Sequence, residues 1–208
     1  LFQKRITVHS LFNKRKDISL DLGKHLPRIL SPLKKFFEIG REIDPIQPLT
    51  VGIWAFPEPM TSVVDLRAQL SEIQQFALDN SDLITFHCYG SLERNVAIIK
   101  ALKKFGRPIV NTEWLCRGRG DDFFSLFPLF YLNRIGCYNW GFVAGKYQTY
   151  EPWDATWRSY ENGELADVEF TKWFHDLYRP NHRPYDPKEI EILAEVDGMV
   201  VGMAGIEA

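Results

Sequence analysis

Strand-like and helix-like segments alternate along the sequence, and this alternation limits the fold more than any other feature. Predicted strands start near residues 49, 83, 108 and 136, and one predicted helix fits in each gap between them. Two parallel strands joined by a crossover helix form a right-handed unit. The sequence therefore predicts an α/β fold in which helices cover a parallel sheet.

The individual elements have clear bounds in the sequence. Pro32 opens a run of apolar residues at helical spacing that ends at Asp44. The predicted strands cover 49–54, 82–87, 109–113 and 136–142, and the later helices cover 64–78, 92–105 and 122–132. This pattern fits both an open doubly wound sheet and half of an eight-stranded barrel. A glycine-rich phosphate loop after the first strand would favour the open sheet, and none is present.

Composition and charge exclude several classes of function. Hydrophobic residues make up 45% of the 208 residues and charged residues 25%, as in globular proteins. With a net charge of −2, the whole chain offers no electrostatic reason to bind nucleic acid or an anionic membrane. No apolar run reaches the roughly 18 residues of a membrane-spanning helix. The three cysteines lack metal-ligand spacing, and no cofactor motif occurs, so we expect neither a metal nor a cofactor.

The chain divides into three parts by its pattern. Residues 1–30 are an atypical basic segment, 31–196 carry the strand–helix repeat, and 197–208 form a small apolar tail. The basic segment is either an arm for nucleic acid or a terminus foreign to the fold, and the lack of a binding motif favours the second. The chain begins without Met or a signal-like stretch, which predicts a processed or partial chain and leaves its compartment unknown.

Polar and aromatic side chains cluster at the predicted carboxyl ends of the strands. In parallel α/β folds these ends meet at one edge of the sheet, where ligands bind. The residues at these ends are Trp54, His87, Tyr89, Glu113, Trp114, Asn139 and Trp140. Since indoles stack on the apolar faces of sugars and a carboxylate can attack an anomeric carbon, this set predicts a carbohydrate site.

Three of these strand ends resemble a known family. The segments read SDLITFHCYG at 81–90, GRPIVNTEW at 106–114 and YNWGF at 138–142. They are similar to strands six, seven and eight of the large (β/α)8 glycoside hydrolase superfamily, the clan of cellulases, mannanases and β-galactosidases. The resemblance extends from about Leu33 to Leu193. It implies the C-terminal half, strands five to eight, of a (β/α)8 TIM barrel with parallel strands and helices outside.

The resemblance also implies roles for the residues at the site. Glu113 would be the nucleophile of a retaining glycosidase, and Tyr89 and His87 would hold its carboxylate. Trp140 would form the floor under the sugar, and the loop 144–153 would bind substrate. The predicted substrate contacts are Trp140, Asn139, Trp54, Trp114, Lys146, Gln148 and Trp153.

Several of these residues also have a purely structural interpretation. His87 could be a core histidine, and Trp54 and Trp114 could simply cap the barrel. His175 and His182 lack ligand spacing, and we expect no catalytic role for them.

Retaining hydrolysis requires a second carboxyl group, about 5–5.5 Å from the nucleophile. The clan supplies it as a Glu after Asn at the end of strand four, but this sequence contains no Asn-Glu dipeptide. Glu58 follows the strand that matches strand five and is not expected to take this role. We therefore expect strands one to four upstream, and negligible glycosidase turnover by the chain alone. Its expected partners are a carbohydrate and either the missing half-barrel or a second copy.

Two alternatives to a catalytic fragment stay open, so whether this chain alone is an enzyme is undecided. One is an inactive carbohydrate-binding or interaction remnant of such a barrel. The other, less favoured, is a nucleic-acid binder that acts through residues 1–29 and would show strongly salt-dependent binding.

Overall fold

The computed structural model describes residues 22–60 and 65–200, and the chain divides into two compact units, 1–45 and 46–208. In the first unit the described part is one helix, α1 (Leu22–Ile43), followed by a short turn. The predicted end of this helix is confirmed, but its start precedes the predicted Pro32. The division that we placed at residue 30 thus falls inside a helix. Most of the basic segment (1–21) and of the tail (201–208) lies outside the described residues.

The second unit is mixed α/β, with helices and strands in the predicted alternation. Its elements are α2 (Leu66–Gln69), α3 (Glu72–Asn80), β1 (Ile84–His87), α4 (Leu92–Leu102), β2 (Ile109–Trp114), α5 (Phe123–Asn133), β3 (Gly136–Asn139), α6 (Asp154–Glu161) and α7 (Pro187–Val200). Short 3-10 turns occupy Lys103–Phe105 and Arg117–Arg119.

The three strands form a parallel sheet in the order β1-β2-β3. The predicted strand 49–54 is reduced to one parallel bridge, Ile53 with Phe86, at the outer side of β1. Two backbone hydrogen bonds of 2.9 Å fix that bridge, from Ile53 N–H to Thr85 O and from His87 N–H to Ile53 O. The order along the sheet therefore follows the order along the chain.

Local sequence explains where the helices begin and end. The helix predicted over 64–78 is two helices, because Ser71 forms a capping box with Gln74 that starts α3. Asp122 caps α5 by accepting a hydrogen bond from the Ser125 N–H at 2.9 Å. After α4, Gly106 takes a left-handed conformation (φ 66°) that ends the following 3-10 turn.

The core lies between the sheet and the helices that follow each strand. The buried side chains of β1 and β2 pack against apolar residues of α3, α4 and α5. Its largest buried side chain is Trp114, whose ring centroid lies 4.8 Å from that of Phe123 and 5.1 Å from that of Phe130. Truncating an aromatic side chain in such surroundings costs about 3–5 kcal/mol of stability.

The predicted α/β class with parallel strands is confirmed. Among the described residues, three strands and one bridge do not close into a barrel, and β3 and Ile53 lie at opposite edges of the sheet. The described residues therefore do not establish half of a (β/α)8 barrel.

Candidate active site

The carboxyl ends of β1 and β2 bring the predicted catalytic residues side by side. His87 is the direct neighbour of Glu113 across the two strands. The Tyr89 hydroxyl donates a hydrogen bond of 3.0 Å to Glu113 Oε2. His87 Nδ1 lies 3.4 Å from the same oxygen, and the His87 and Glu113 side chains are 32% and 27% exposed. Both contacts are made to Oε2 of Glu113. Oε1 is therefore the carboxylate oxygen that these two side chains leave available.

Tyr89 is a stable hydrogen-bond donor to this carboxylate. Burial raises the pKa of the Tyr89 hydroxyl far above its usual value, and the nearby negative charge of Glu113 raises it further. The phenol therefore keeps its proton near neutral pH and remains a hydrogen-bond donor to Glu113.

The carboxylate opens into a cavity of about 420 Å³. Aromatic and charged side chains surround it: Trp54, His87, Cys88, Tyr89, Arg94, Glu113, Arg119 and Trp153. Trp54 is 61% exposed at one side, and Trp153 is half-buried at another. Burial raises the pKa of the Cys88 thiol to about 12, so this cysteine is not a thiolate nucleophile near neutral pH.

A backbone irregularity next to Glu113 sets the direction of its side chain. The register of β2 against both neighbours shifts near this point, and the buried Asn111 side chain accepts a hydrogen bond of 3.2 Å from the Glu113 N–H. Bulges of this kind re-aim side chains and are frequent beside active sites. Soon after, Leu115 adopts a left-handed conformation with φ 76°, which is uncommon for a residue with a β-carbon.

Two buried polar side chains hold Leu115 in that conformation. Its N–H donates to Asp121 Oδ1 at 3.3 Å, and its carbonyl accepts a hydrogen bond from His175 Nδ1. Burial raises the pKa of Asp121 to about 7, against the opposing effect of backbone N–H donors. Strain at the end of β2 is thus maintained by contacts from later segments of the chain.

His175 also connects this turn to the cavity wall. The Trp153 indole N–H donates to His175 Nε2 at 2.7 Å, so the proton of the neutral imidazole is on Nδ1. Burial lowers the pKa of His175, which keeps the ring neutral and able to accept from Trp153. Trp153 in turn meets the Tyr89 ring edge-on at 5.1 Å. His175 therefore positions the aromatic wall behind the Tyr89–Glu113 hydrogen bond.

A buried ion pair connects the turn after β2 to later parts of the chain. Arg117 and Glu189 are each almost fully buried, and Arg117 Nε donates to Glu189 Oε1 at 2.7 Å. The same guanidinium donates to the carbonyls of His175 and Asp176. Arg117 thus ties the turn after β2 to the start of α7 and to the segment that carries His175.

Trp114 differs from the prediction that it contacts substrate. Its side chain is 1% exposed and lies among the phenylalanines of α5, on the face of β2 opposite Glu113. The reason is the alternation of a strand, since consecutive side chains point to opposite faces. Trp114 is a core residue, so its role is structural.

Four of the predicted residues at and after the end of β3 do not line the cavity, whereas Trp153 does: these four are Asn139, Trp140, Lys146 and Gln148. Asn139 donates its side-chain amide to the carbonyl of Gly141, and Trp140 is 44% exposed. Lys146 and Gln148 are exposed in the loop that follows. Trp140 is therefore not among the residues that line the cavity with Glu113, His87 and Tyr89. Substrate contacts by these four residues stay predictions.

Sequence reasoning missed four residues that shape the site. Arg94 of α4 and Arg119 of the 3-10 turn line the cavity, and His175 and Arg117 hold its walls. The repeated Arg in Cys116-Arg-Gly-Arg-Gly120, directly after the strand that carries Glu113, was an available signal for Arg119. His175 gave no such signal, because its partners are distant in sequence.

Within residues 22–60 and 65–200, no group of three His, Cys, Asp or Glu side chains is arranged to hold a metal ion. No helix in this part of the chain is long and apolar enough to cross a membrane. Compared with protein-family models, with curated proteins and with solved structures, the chain matches none. Inferences about function therefore depend on the site itself and on the resemblance of the three strand-end segments.

Proposed function

We propose that the chain is the C-terminal part of a retaining glycoside hydrolase catalytic domain that acts on β-linked carbohydrate, with Glu113 as its nucleophile. The observation that carries the proposal is the position of Glu113. It ends the central strand of a parallel sheet, receives a hydrogen bond from Tyr89 and opens into an aromatic cavity. In a retaining mechanism this carboxylate attacks the anomeric carbon and forms a glycosyl-enzyme ester, which water then hydrolyses.

The contacts on Glu113 support a division of work between its two oxygens. Tyr89 and His87 both approach Oε2 and keep the carboxylate in place. Oε1 then attacks, and the bond between the anomeric carbon and the leaving oxygen breaks as the new ester bond forms. Trp54 and Trp153 supply flat apolar surfaces on two sides of the cavity, which suit the faces of a sugar ring.

The parallel order of the sheet supports a place within a barrel. In a (β/α)8 barrel, consecutive strands are neighbours and the catalytic residues lie at their carboxyl ends. The order from Ile53 through β1 and β2 to β3 has this property. Strands five to eight of such a barrel would leave two edges for a further half-barrel, and that half would supply the acid/base carboxyl group.

One observation favours a second candidate, a carbohydrate-binding remnant without catalysis. Glu113 is the single carboxylate among the described residues that line the cavity, whereas retaining hydrolysis uses two carboxyl groups. A cavity with aromatic walls and one anchored carboxylate can bind a sugar without cleaving it. Both candidates predict negligible turnover of ordinary aryl glycosides and mannans by the chain alone.

A covalent trapping experiment separates the two candidates. Dinitrophenyl 2-deoxy-2-fluoro-β-glycosides have a leaving group that departs without protonation, so the nucleophile can react in the absence of the acid/base residue. The full chain is incubated with the gluco, galacto and manno compounds, and its peptides are analysed by mass spectrometry. We expect a 2-fluoroglycosyl adduct on the peptide that contains Glu113, and none with Glu113→Gln.

The control is Glu151→Gln, which removes a carboxylate outside the cavity and should keep the adduct. Absence of the adduct, together with sugar binding detected by tryptophan fluorescence, would establish the binding remnant instead. An adduct on another carboxylate, or neither adduct nor binding, would overturn the assignment of Glu113 as the nucleophile.

A further inference from the structure

Two arginines share the cavity with Glu113, although a neutral sugar requires no positive charge. Arg94 comes from α4 and Arg119 from the 3-10 turn after β2. Burial lowers the pKa of Arg94, and the positive charge of Arg119 lowers it further, so the two guanidinium groups repel each other. Both cations line one cavity, and this arrangement favours the binding of an anion between or beside them.

The two guanidinium groups differ in how far the chain neutralises them. Arg94 is neutralised by an ion pair in which its Nη1 atom contacts Oε1 of Glu58. Arg119 forms no ion pair with any carboxylate in the described part of the chain. Its guanidinium lies over the Trp153 ring, 5.4 Å from the ring centroid. This cation–π contact orients the Arg119 guanidinium. It leaves the guanidinium N–H donors available for hydrogen bonds, because the ring face is attracted to the positive charge and does not accept from the individual donors.

The turn that carries Arg119 is rigidly built. Arg117, two residues earlier, is buried in its ion pair with Glu189. Cys116 and Asp121 form an antiparallel bridge across the base of the turn, and Gly120 (φ 74°) closes it in a left-handed conformation. A cation on a fixed turn loses little conformational freedom when it binds a ligand, which makes it an effective recognition group.

From this pair we infer that the sugar in the cavity carries an anionic substituent, a carboxylate or a sulfate ester, which Arg119 binds with Arg94 beside it. This inference depends on the proposed carbohydrate site and specifies its substrate class. The planar guanidinium of Arg119 offers parallel N–H donors to two oxygens of such a group. Glu113 remains free to react, because its own contacts come from Tyr89 and His87.

The test measures binding of matched sugars to the full chain by tryptophan fluorescence, to which Trp54 and Trp153 in the cavity contribute. Each methyl β-glycoside is compared with its uronide and with its 6-sulfate, in the gluco, galacto and manno series. We expect one of the charged forms to bind at least about tenfold more tightly than its neutral counterpart, as for charge-assisted hydrogen bonds. The uronide and sulfate arms distinguish the two anions, and added salt should reduce the advantage of the charged form.

Variants then assign the preference to one side chain. Arg119→Gln should remove the advantage of the charged sugar over its neutral counterpart, with both sugars measured on the same variant. Arg119→Lys should keep part of it, because a point charge remains without the planar fork. Arg183→Gln is the matched control, since Arg183 is an exposed arginine outside the cavity and its loss changes the net charge equally.

Each outcome decides the inference separately from the proposed function. If neutral sugars bind as tightly as charged ones, the anionic substrate class is wrong while the carbohydrate site stands. If Arg183→Gln reduces the preference as much as Arg119→Gln, the effect is one of net charge and the assignment to Arg119 is wrong. If no sugar of either kind binds, the carbohydrate site itself is refuted together with this inference.

Discussion

The ends of β1 and β2 and the end of β3 all carry side chains that the sequence predicted to form the carbohydrate site. The two regions differ in how many contacts hold these side chains and in how exposed they are. At β1 and β2, Glu113 is held by Tyr89 and His87, above a buried layer of polar contacts. At β3, Trp140 and its neighbours are largely exposed, and Asn139 bonds only to the local backbone.

The difference follows from position in the sheet. β2 has neighbours on both sides, and the segment around His175 and α7 packs beneath its end. β3 is an edge strand of the described sheet, and aromatic side chains around it, Tyr138 and Phe142, are exposed. The comparison teaches that contacts within the described residues hold Glu113 in place, whereas the side chains around β3 lie at an exposed edge of the described sheet.

The first prediction, which has the largest expected effect, tests whether the buried Arg117–Glu189 ion pair stabilises the region around Glu113. Arg117→Met leaves Glu189 buried without its partner, and breaking a buried pair in this way costs about 3–5 kcal/mol. We expect a matching decrease in the free energy of unfolding, measured by urea denaturation. Arg119→Met, at an exposed position two residues away, should change it by less than about 0.5 kcal/mol.

The double variant Arg117→Met, Glu189→Leu provides the control for this first prediction. It removes both charges, so it should be more stable than Arg117→Met alone. Equal stability of the single and double variants would show that the ion pair is not the element that ties α7 to the turn.

A second prediction concerns Asp121 and the pH dependence of stability. Its folded pKa of about 7 lies above the value of 3.8 for a free aspartate, so the folded state binds the proton more tightly than the unfolded state. This contribution to stability is complete below about pH 4 and is lost as the pH rises to about 7, by at most about 4 kcal/mol. Asp121→Asn keeps an oxygen for the Leu115 N–H but does not titrate.

Thermal unfolding of both proteins between pH 4 and pH 8 measures this effect. Relative to Asp121→Asn, the unmodified chain should lose stability as the pH rises through this window. A constant difference between the two curves would mean that Asp121 does not carry a raised pKa, and that the layer beneath β2 tolerates its charge.

The third prediction, which has the smallest expected effect, compares the same substitution at Trp153 beside the cavity and at Trp140 after β3. Trp153→Phe removes the indole N–H that His175 accepts and leaves a buried acceptor unpaired, which costs about 1–3 kcal/mol. Trp140→Phe, at an exposed position, should stay within about 0.5 kcal/mol of the unmodified chain. Urea denaturation measures both, and equal losses would remove the distinction between the two regions.

The sequence was sufficient for the features that local rules govern. Alternating strand-like and helix-like patterns predicted the order and approximate bounds of most elements, and the rule that parallel strands end at one edge placed His87 beside Glu113. The same alternation could have assigned Trp114 to the core, since it directly follows Glu113 in a strand. In both cases the information lies within a few residues of the position concerned.

The rest depends on contacts between distant segments. His175 reaches Leu115 and Trp153 through an irregular segment with no strand or helix pattern. Arg94, in the first turn of α4, lines the cavity, and no local pattern predicts this. The strand predicted at 49–54 is one bridge at Ile53. The N–H groups of Leu49 and Val51 donate to the side chains of Asp82 and Ser81 and not to strand carbonyls, and no strand pattern predicts this.

The left-handed turn at Leu115 has a consequence for engineering the chain. A glycine would avoid the cost of about 1–2 kcal/mol that a β-carbon meets in this conformation. However, the Leu115 side chain is fully buried, and removing a buried leucine side chain costs about 2–5 kcal/mol. The net balance favours leucine, so the bend is locked by its own side chain, and efforts to increase thermal tolerance should leave this position unchanged and turn to the exposed β3 edge.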